Sequence, residues 1–149
     1  MFSYDILQAP DLEIDQTIID DIFARVEDKI QKTQKGTLNI VFVSSEEIKN
    51  FNKQYRNKDK STDVLSFHYY DDFSDLQDEE VAGEVILCLD KIAPDAKANG
   101  VTEPEQIYML IIHSLLHILG YDHEDDDDYK IMSALEKSIY SEVFGKSFD

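Results

Sequence analysis

Residues 113–123 read H-S-L-L-H-I-L-G-Y-D-H and hold three of the four histidines of the chain. His113 and His117 are four residues apart, so on an α-helix both imidazoles project from one face and can share a metal ion. Gly120 offers a helix end, because glycine readily adopts the left-handed conformation that terminates helices. The chain can then turn back and bring His123 towards the other two. We therefore predict a site for one zinc ion held by three imidazoles.

The number of ligands favours a catalytic ion over a structural one. Three protein ligands leave one tetrahedral position open, whereas structural zinc sites normally have four ligands, usually including cysteine. The only cysteine, Cys88, lies far away in the sequence. A zinc ion in such a site can activate water near pH ~7 and polarise a carbonyl or phosphoryl oxygen, which predicts a hydrolase. The alternative is that the histidines only cap and pack a helix.

The helix that carries this motif has a clear start. Thr102 is a predicted N-cap, Pro104 falls in the first turn, and Glu105 is the capping acid three residues after the cap. The helix is apolar almost all round, so we expect it to be deeply buried. Elsewhere the patterns predict strands at 2–7, 38–43, 64–67 and 81–89, and helices at 14–30, 44–55, 90–98 and 131–143. Gly83 in the last strand indicates a bulge or a close backbone approach, and Asp90 is the expected cap of the helix at 90–98.

Length and composition predict one globular domain spanning residues 1–149. Hydrophobic residues make up 42% of the chain, which has only five glycines and three prolines. No basic segment followed by an apolar run begins the sequence, and no stretch approaches the ~20 apolar residues of a membrane span. We therefore expect a cytoplasmic protein with no membrane partner.

Charge is strongly negative overall but unevenly placed. The net charge of −18 disfavours non-specific attraction to DNA, RNA or an anionic membrane surface. Residues 49–60, however, hold five basic side chains against the single acid Asp59, while residues 71–80 and 122–128 hold six acids each. A local cationic surface can therefore exist within an acidic molecule.

The histidine spacing also matches the zinc-protease helix H-E-x-x-H-x-x-G-x-x-H. In those enzymes the glutamate after the first histidine is the general base, but this chain has Ser114 there. Serine has neither the charge nor the proton affinity for that task. A zinc metallopeptidase-like hydrolase is therefore the weaker interpretation, although the helical scaffold is zincin-like.

Two motifs resemble those of the YbeY family of bacterial metal-dependent endoribonucleases. Residues 113–123 are similar to the family signature H-G-x-L-H-L-x-G-Y-D-H, and residues 55–67, Y-R-N-K-D-K-S-T-D-V-L-S-F, resemble Y-R-x-K-D-x-P-T-D-V-L-S-F-P. The match covers roughly the last two thirds of the chain. Ser114 replaces a family glycine, where its side chain could crowd substrate or a neighbouring strand, and Ser61 and His68 replace two prolines.

The resemblance implies a single α/β (α+β) domain in which helices pack a small mixed sheet crossed by the zinc helix. It further implies cleavage of single-stranded RNA in maturation of the small-subunit ribosomal RNA 3′ end and in ribosome quality control. The implied partners are a ribosomal RNA precursor, the small ribosomal subunit and assembly proteins, with no DNA partner. A non-catalytic, metal-stabilised ribosome-binding factor is a further alternative.

The resemblance assigns His113, His117 and His123 as zinc ligands and catalytic residues, together with Arg56. A guanidinium can hold phosphate oxygens bidentately and stabilise charge that develops on phosphorus. Alternatively, Arg56 is a solvated loop residue.

Three further side chains are weaker candidates. Lys58 and Lys60 are possible backbone-steering charges for RNA, or simply solvated lysines. Asp122 could orient a ligand imidazole through a hydrogen bond, or cap the turn. The fourth histidine, His68, is expected to be structural or exposed.

Overall fold

A computed structural model describes residues 1–146, in which four strands form one mixed sheet surrounded by five helices. The elements are β1 (Ser3–Leu7), α1 (Gln16–Lys29), β2 (Thr37–Val43), α2 (Ser45–Arg56), β3 (Val64–His68), β4 (Val81–Cys88), α3 (Leu89–Asn99), α4 (Glu103–Ile118) and α5 (Asp126–Phe144). This arrangement confirms the predicted single α/β domain with a mixed sheet. The last three residues of the expected range 1–149 lie outside the described part.

The sheet has the order β1-β2-β4-β3. Strands β1, β2 and β4 run parallel, and β3 pairs antiparallel with β4 at the edge. Alternate side chains of the central strands point to opposite faces. Ile40 and Leu87 belong to the main core with α1, α4 and α5, whereas Val43 and Ile86 pack with Ile48 of α2. The end of α2 therefore reaches the edge strand from the face opposite α4.

Helix α4 begins as predicted and is buried on most sides. The Glu105 amide donates to the Thr102 hydroxyl at 3.2 Å, and Pro104 lies in the first turn. The Glu105 carboxylate accepts a hydrogen bond from the Tyr140 hydroxyl and pairs with Lys146 at 2.8 Å, which links α4 to α5. These contacts give the helix a fixed position beneath the sheet.

Gly83 was predicted to mark a bulge or a close backbone approach, and both occur. The register between β2 and β4 shifts at this point, since Thr37 pairs with Val81 while Leu38 pairs with Gly83. A β-carbon on Gly83 would lie 2.3 Å from the Phe67 carbonyl oxygen of β3. Only glycine allows β3 to pair this closely with β4.

The sequence prediction that Asp90 caps the short third helix is wrong. Helix α3 starts at Leu89, after the N-cap Cys88, so Asp90 falls in its first turn. The Asp90 carboxylate instead accepts a hydrogen bond from the Ser45 amide at 2.8 Å and so supports the start of α2. None of the helices within residues 1–146 is long and apolar enough to cross a membrane.

Candidate metal centre and adjoining cavity

The end of α4 determines where the third histidine lies. Gly120 has a φ of +101°, and the Tyr121 amide donates to the Leu116 carbonyl at 3.0 Å, so the helix closes with a left-handed glycine as predicted. The Lys32 ammonium donates to the Leu119 carbonyl at 2.6 Å and places a cation at the negative end of the helix. The chain then reverses and brings His123 alongside α4.

The three predicted histidines come together. Their ring centroids are 4.6 Å apart for His113 and His117, 5.1 Å for His117 and His123, and 5.7 Å for His113 and His123. One nitrogen from each ring lies within 4.8 Å of the others, so the group could hold a metal ion. The Nε2 atoms of His113 and His117 are 3.1 Å apart. Two nitrogen ligands of tetrahedral zinc would be about 3.3 Å apart, so the donor set fits such an ion.

The local electrostatics keep one of these rings neutral. Burial, together with the neighbouring His113 and His123, lowers the pKa of His117 to about 4. Neutral imidazole is the form that binds metal, so His117 needs no deprotonation near pH 7.

A carboxylate from α5 contacts the three-histidine group. Glu136 Oε1 lies 2.6 Å from His113 Nδ1, and both side chains are mostly buried. The bond leaves His113 Nε2 directed towards His117. Carboxylates in this position typically fix the tautomer and orientation of a ligating histidine. Sequence spacing did not predict this contact, because it depends on how α4 and α5 pack.

Helix α2 and the loop after it form one wall of a cavity, and the three histidines lie on the opposite wall. Asn57 ends the helix in a left-handed conformation with φ +56°. The buried Asn52 side chain donates to the Lys60 carbonyl at 2.9 Å, and the Lys58 amide donates to the Asn52 carbonyl at 3.2 Å. These bonds give the loop a defined path, which no feature of the sequence predicted.

The Arg56 side chain lies across the edge strand. Its Nη2 donates to the Ser66 carbonyl at 2.7 Å, and its guanidinium carbon is 5.1 Å from the centroid of the Phe67 ring. The cavity between the α2 loop and the three histidines is open and has a volume of about 590 Å³. The predicted side chains that line it are Arg56, Lys58, Lys60, His113, His117, Asp122 and His123.

Three other predicted positions have distinct surroundings. Asp122 accepts a hydrogen bond from the Glu124 amide at 3.3 Å, as a turn-capping residue does, and its proposed role towards a histidine stays a prediction. His68 is half exposed at the cavity rim and lies outside the three-histidine group. Ser114 is fully buried and does not line the cavity, so it does not crowd a substrate there.

Known proteins match this chain over most of its length. Residues 7–144 match the family model described as Endoribonuclease YbeY. The Endoribonuclease YbeY of Carboxydothermus hydrogenoformans is 34% identical over 131 residues, which are 87% of this chain and 89% of that protein. That of Staphylococcus carnosus is 38% identical over 120 residues, covering 78% and 77% of the two chains.

One solved structure agrees with the same assignment. The solution structure of TM1509 from Thermotoga maritima superposes with a TM-score of 0.59 at 29% sequence identity, covering 95% of this chain and 89% of that one. Together with the family model, which spans the edge strand, the α2 loop and all three histidines, this likeness covers both walls of the cavity. The chain therefore belongs to the YbeY family of endoribonucleases.

Proposed function

We propose that this protein is a zinc-dependent endoribonuclease that cuts single-stranded RNA, and that its substrate is the 3′ region of a small-subunit ribosomal RNA precursor. The observation that carries the proposal is one cavity that holds three clustered imidazoles on one side and Arg56 on the other. Membership of the family supports RNA as the substrate. We propose that the protein acts in the cytoplasm, in ribosome maturation and quality control. Its proposed partners there are the small ribosomal subunit and its assembly proteins.

In this proposal His113, His117 and His123 hold the ion. Zinc with three neutral ligands would supply a Lewis acid and an open coordination position. Glu136 keeps the His113 ring in the orientation that directs Nε2 towards the metal position. The low pKa of His117 keeps its imidazole neutral at neutral pH, so one of its two ring nitrogens carries no proton and can bind the ion.

Arg56 is proposed to bind the phosphate that is cut. A guanidinium has five N–H donors. The bond to the Ser66 carbonyl anchors Arg56 through one nitrogen and leaves most of these donors for phosphate oxygens. The charge of the guanidinium also stabilises negative charge that develops on the phosphate during cleavage.

Lys58 and Lys60 are proposed to attract the neighbouring phosphates, because both line the cavity on the Arg56 side. This placement lets a chain of net charge −18 bind a polyanion locally. Ionic contacts of this kind weaken as salt increases, so we expect RNA binding by the isolated protein to be weak and salt-sensitive.

The test is cleavage of a ribosomal RNA precursor by the zinc-loaded protein and its variants. We expect Arg56→Ala and His123→Ala to lose most cleavage. Arg25→Ala is the matched control, because Arg25 is the only other arginine and lies on α1, paired with Asp21. Equal cleavage by Arg56→Ala and the unchanged protein would remove the proposed role of the arginine.

The nature of the products distinguishes two nucleophiles. Attack by the ribose 2′-hydroxyl leaves a cyclic phosphate, whereas attack by water does not. Analysis of product ends by mass spectrometry therefore identifies the reaction. A peptidase is not favoured, because the position of the protease glutamate is taken by Ser114, which is buried away from the cavity.

A further inference from the structure

An exposed group of aromatic side chains lies beside the cavity. We call Tyr55, Phe67 and Tyr69 the aromatic platform. Tyr55 is 58% exposed and Tyr69 is 53% exposed, although large aromatic side chains usually bury most of their surface. The Tyr55 ring stands edge-on to Phe67 with centroids 5.6 Å apart, and Phe51 stacks beside it at 6.3 Å. The rings are therefore held in place from one side while Tyr55 and Tyr69 remain largely open to solvent.

The platform adjoins the cavity across the edge strand. Alternate residues of β3 point to opposite sides, so Ser66 and His68 line the cavity while Phe67 packs on the α2 side. Arg56 joins the two sides, since it donates to the Ser66 carbonyl and lies 5.1 Å from the Phe67 centroid. Steps of 5.1 Å and 5.6 Å thus lead from the guanidinium to the Tyr55 ring, so the two groups lie no further apart than about three stacked nucleotides at ~3.4 Å each.

The charges on the two cavity walls differ in sign. Arg56, Lys58 and Lys60 line the wall next to the platform, against the single acid Asp63. The opposite wall continues from Asp122 into the acidic start of α5, where partial desolvation and the carboxylates of Asp125 and Asp122 raise the pKa of Asp128. A polyanion in the cavity is repelled by that wall and attracted towards α2 and β3. The favourable path out of the cavity therefore crosses the platform.

The Tyr69 ring is fixed by a hydrogen bond from its hydroxyl to Glu84 at 2.5 Å. Partial burial and this bond raise the pKa of Tyr69 to about 12, so the phenol keeps its proton well above physiological pH. The bond occupies the hydroxyl at the edge of the ring. A neutral, fixed ring can stack on a base of any identity, because every base has a π-face.

We propose that unpaired RNA bases next to the phosphate held by Arg56 stack on the aromatic platform, with Tyr55 as the main contact. The proposal rests on RNA being the substrate. Stacking of this kind tolerates any base, so it selects single-stranded over paired RNA without reading sequence. It also gives the RNA one path across the molecule, which joins the histidines to α2 over the edge strand.

Tryptophan fluorescence can test this contact, because the chain contains no tryptophan. Tyr55→Trp places a single reporter on the platform of the full-length, zinc-loaded protein. The ligands are a 2′-O-methyl oligouridylate decamer, checked to remain intact, and an abasic strand with the same number of phosphates. We expect the decamer to quench the reporter and the abasic strand not to. Tyr129→Trp is the matched control, since Tyr129 is 60% exposed on α5, on the acidic side.

Binding by the companion variants measures the strength of the contact. Tyr55→Ala should weaken decamer binding between about fivefold and 150-fold, whereas Tyr55→Phe and Tyr129→Ala should not change it. Equal quenching by the abasic strand, or unchanged binding by Tyr55→Ala, would overturn the platform while cleavage by the unchanged protein still supports RNA as the substrate. Failure of the unchanged protein to bind or cut RNA would overturn both proposals.

Discussion

Replacing Glu136 tests whether α5 positions the metal site. Its carboxylate lies 2.6 Å from His113 Nδ1, and the side chains of His113 and Glu136 are 27% and 23% exposed. Glu136→Gln keeps the shape and one acceptor oxygen but removes the charge. Glu136→Ala removes the hydrogen bond and frees the His113 ring to change tautomer. The metal affinity should therefore fall in both variants, and further in the alanine variant.

The expected loss of zinc affinity follows from the role of this hydrogen bond. Loss of a partner that orients a ligating histidine typically costs 10- to 100-fold in metal affinity, or about 1.4 to 2.7 kcal/mol. Charge-assisted hydrogen bonds are roughly twice as strong as neutral ones. We therefore expect Glu136→Gln to weaken zinc binding about tenfold and Glu136→Ala nearer 100-fold.

The assay is zinc competition against a chelator, with imidazole ¹⁵N chemical shifts to report the His113 tautomer. Glu142→Gln is the control, because Glu142 is another carboxylate on α5 that pairs with Lys29 of α1. It removes the same charge without contacting a histidine. If the Gln and Ala variants at position 136 bound zinc as tightly as the control, and the His113 tautomer stayed the same, Glu136 would have no positioning role.

Three further predictions concern stability. Ser114→Ala should stabilise the protein by about 1 kcal/mol in urea unfolding, because the buried Ser114 hydroxyl has no hydrogen-bond partner among residues 1–146; a lower midpoint would contradict this. Gly83→Ala should destabilise it by about 3 kcal/mol, since the new β-carbon would meet the Phe67 carbonyl oxygen at 2.3 Å; a midpoint like that of the unchanged protein would refute the close approach. Zinc at about 100 times its Kd should stabilise the fold by about 2.7 kcal/mol, seen as a higher melting temperature, and His123→Ala should lose most of that shift.

Local signals in the sequence were sufficient to predict most of the helices and strands. The start of α4 at Thr102 and Pro104 and its end at Gly120 were predicted because caps and helix breakers act through neighbouring residues. Asp90 was misassigned because its acceptor oxygens serve the start of α2, 45 residues away in sequence. A side chain that can cap its own helix can instead accept a hydrogen bond from the start of another helix. Which helix it serves depends on how the two helices pack.

In the candidate site, too, some contacts follow from neighbouring residues in the sequence and others only from the packing of the helices. The spacing of the histidines within one helix and one turn placed them together before any tertiary contact was known. Glu136 is 23 residues from His113, and its contact arises from the packing of α5 on α4. Asn52 braces the loop that presents Lys58 and Lys60, yet nothing in its sequence neighbourhood distinguishes it from a surface residue.

The edge position of β3 explains how an acidic protein can act on RNA. A central strand would be flanked by other strands on both sides, but β3 has a partner only in β4, which leaves the Ser66 carbonyl accessible to Arg56. The arginine can therefore come from α2, on the opposite face of the sheet, and still reach a cavity whose three histidines come from α4 and the turn after it. The basic wall is thus built by one face of the sheet and the imidazoles by the other. The acids at 122–128 lie at the opposite wall of the cavity, so an RNA strand that follows the edge of β3 lies on the side away from them.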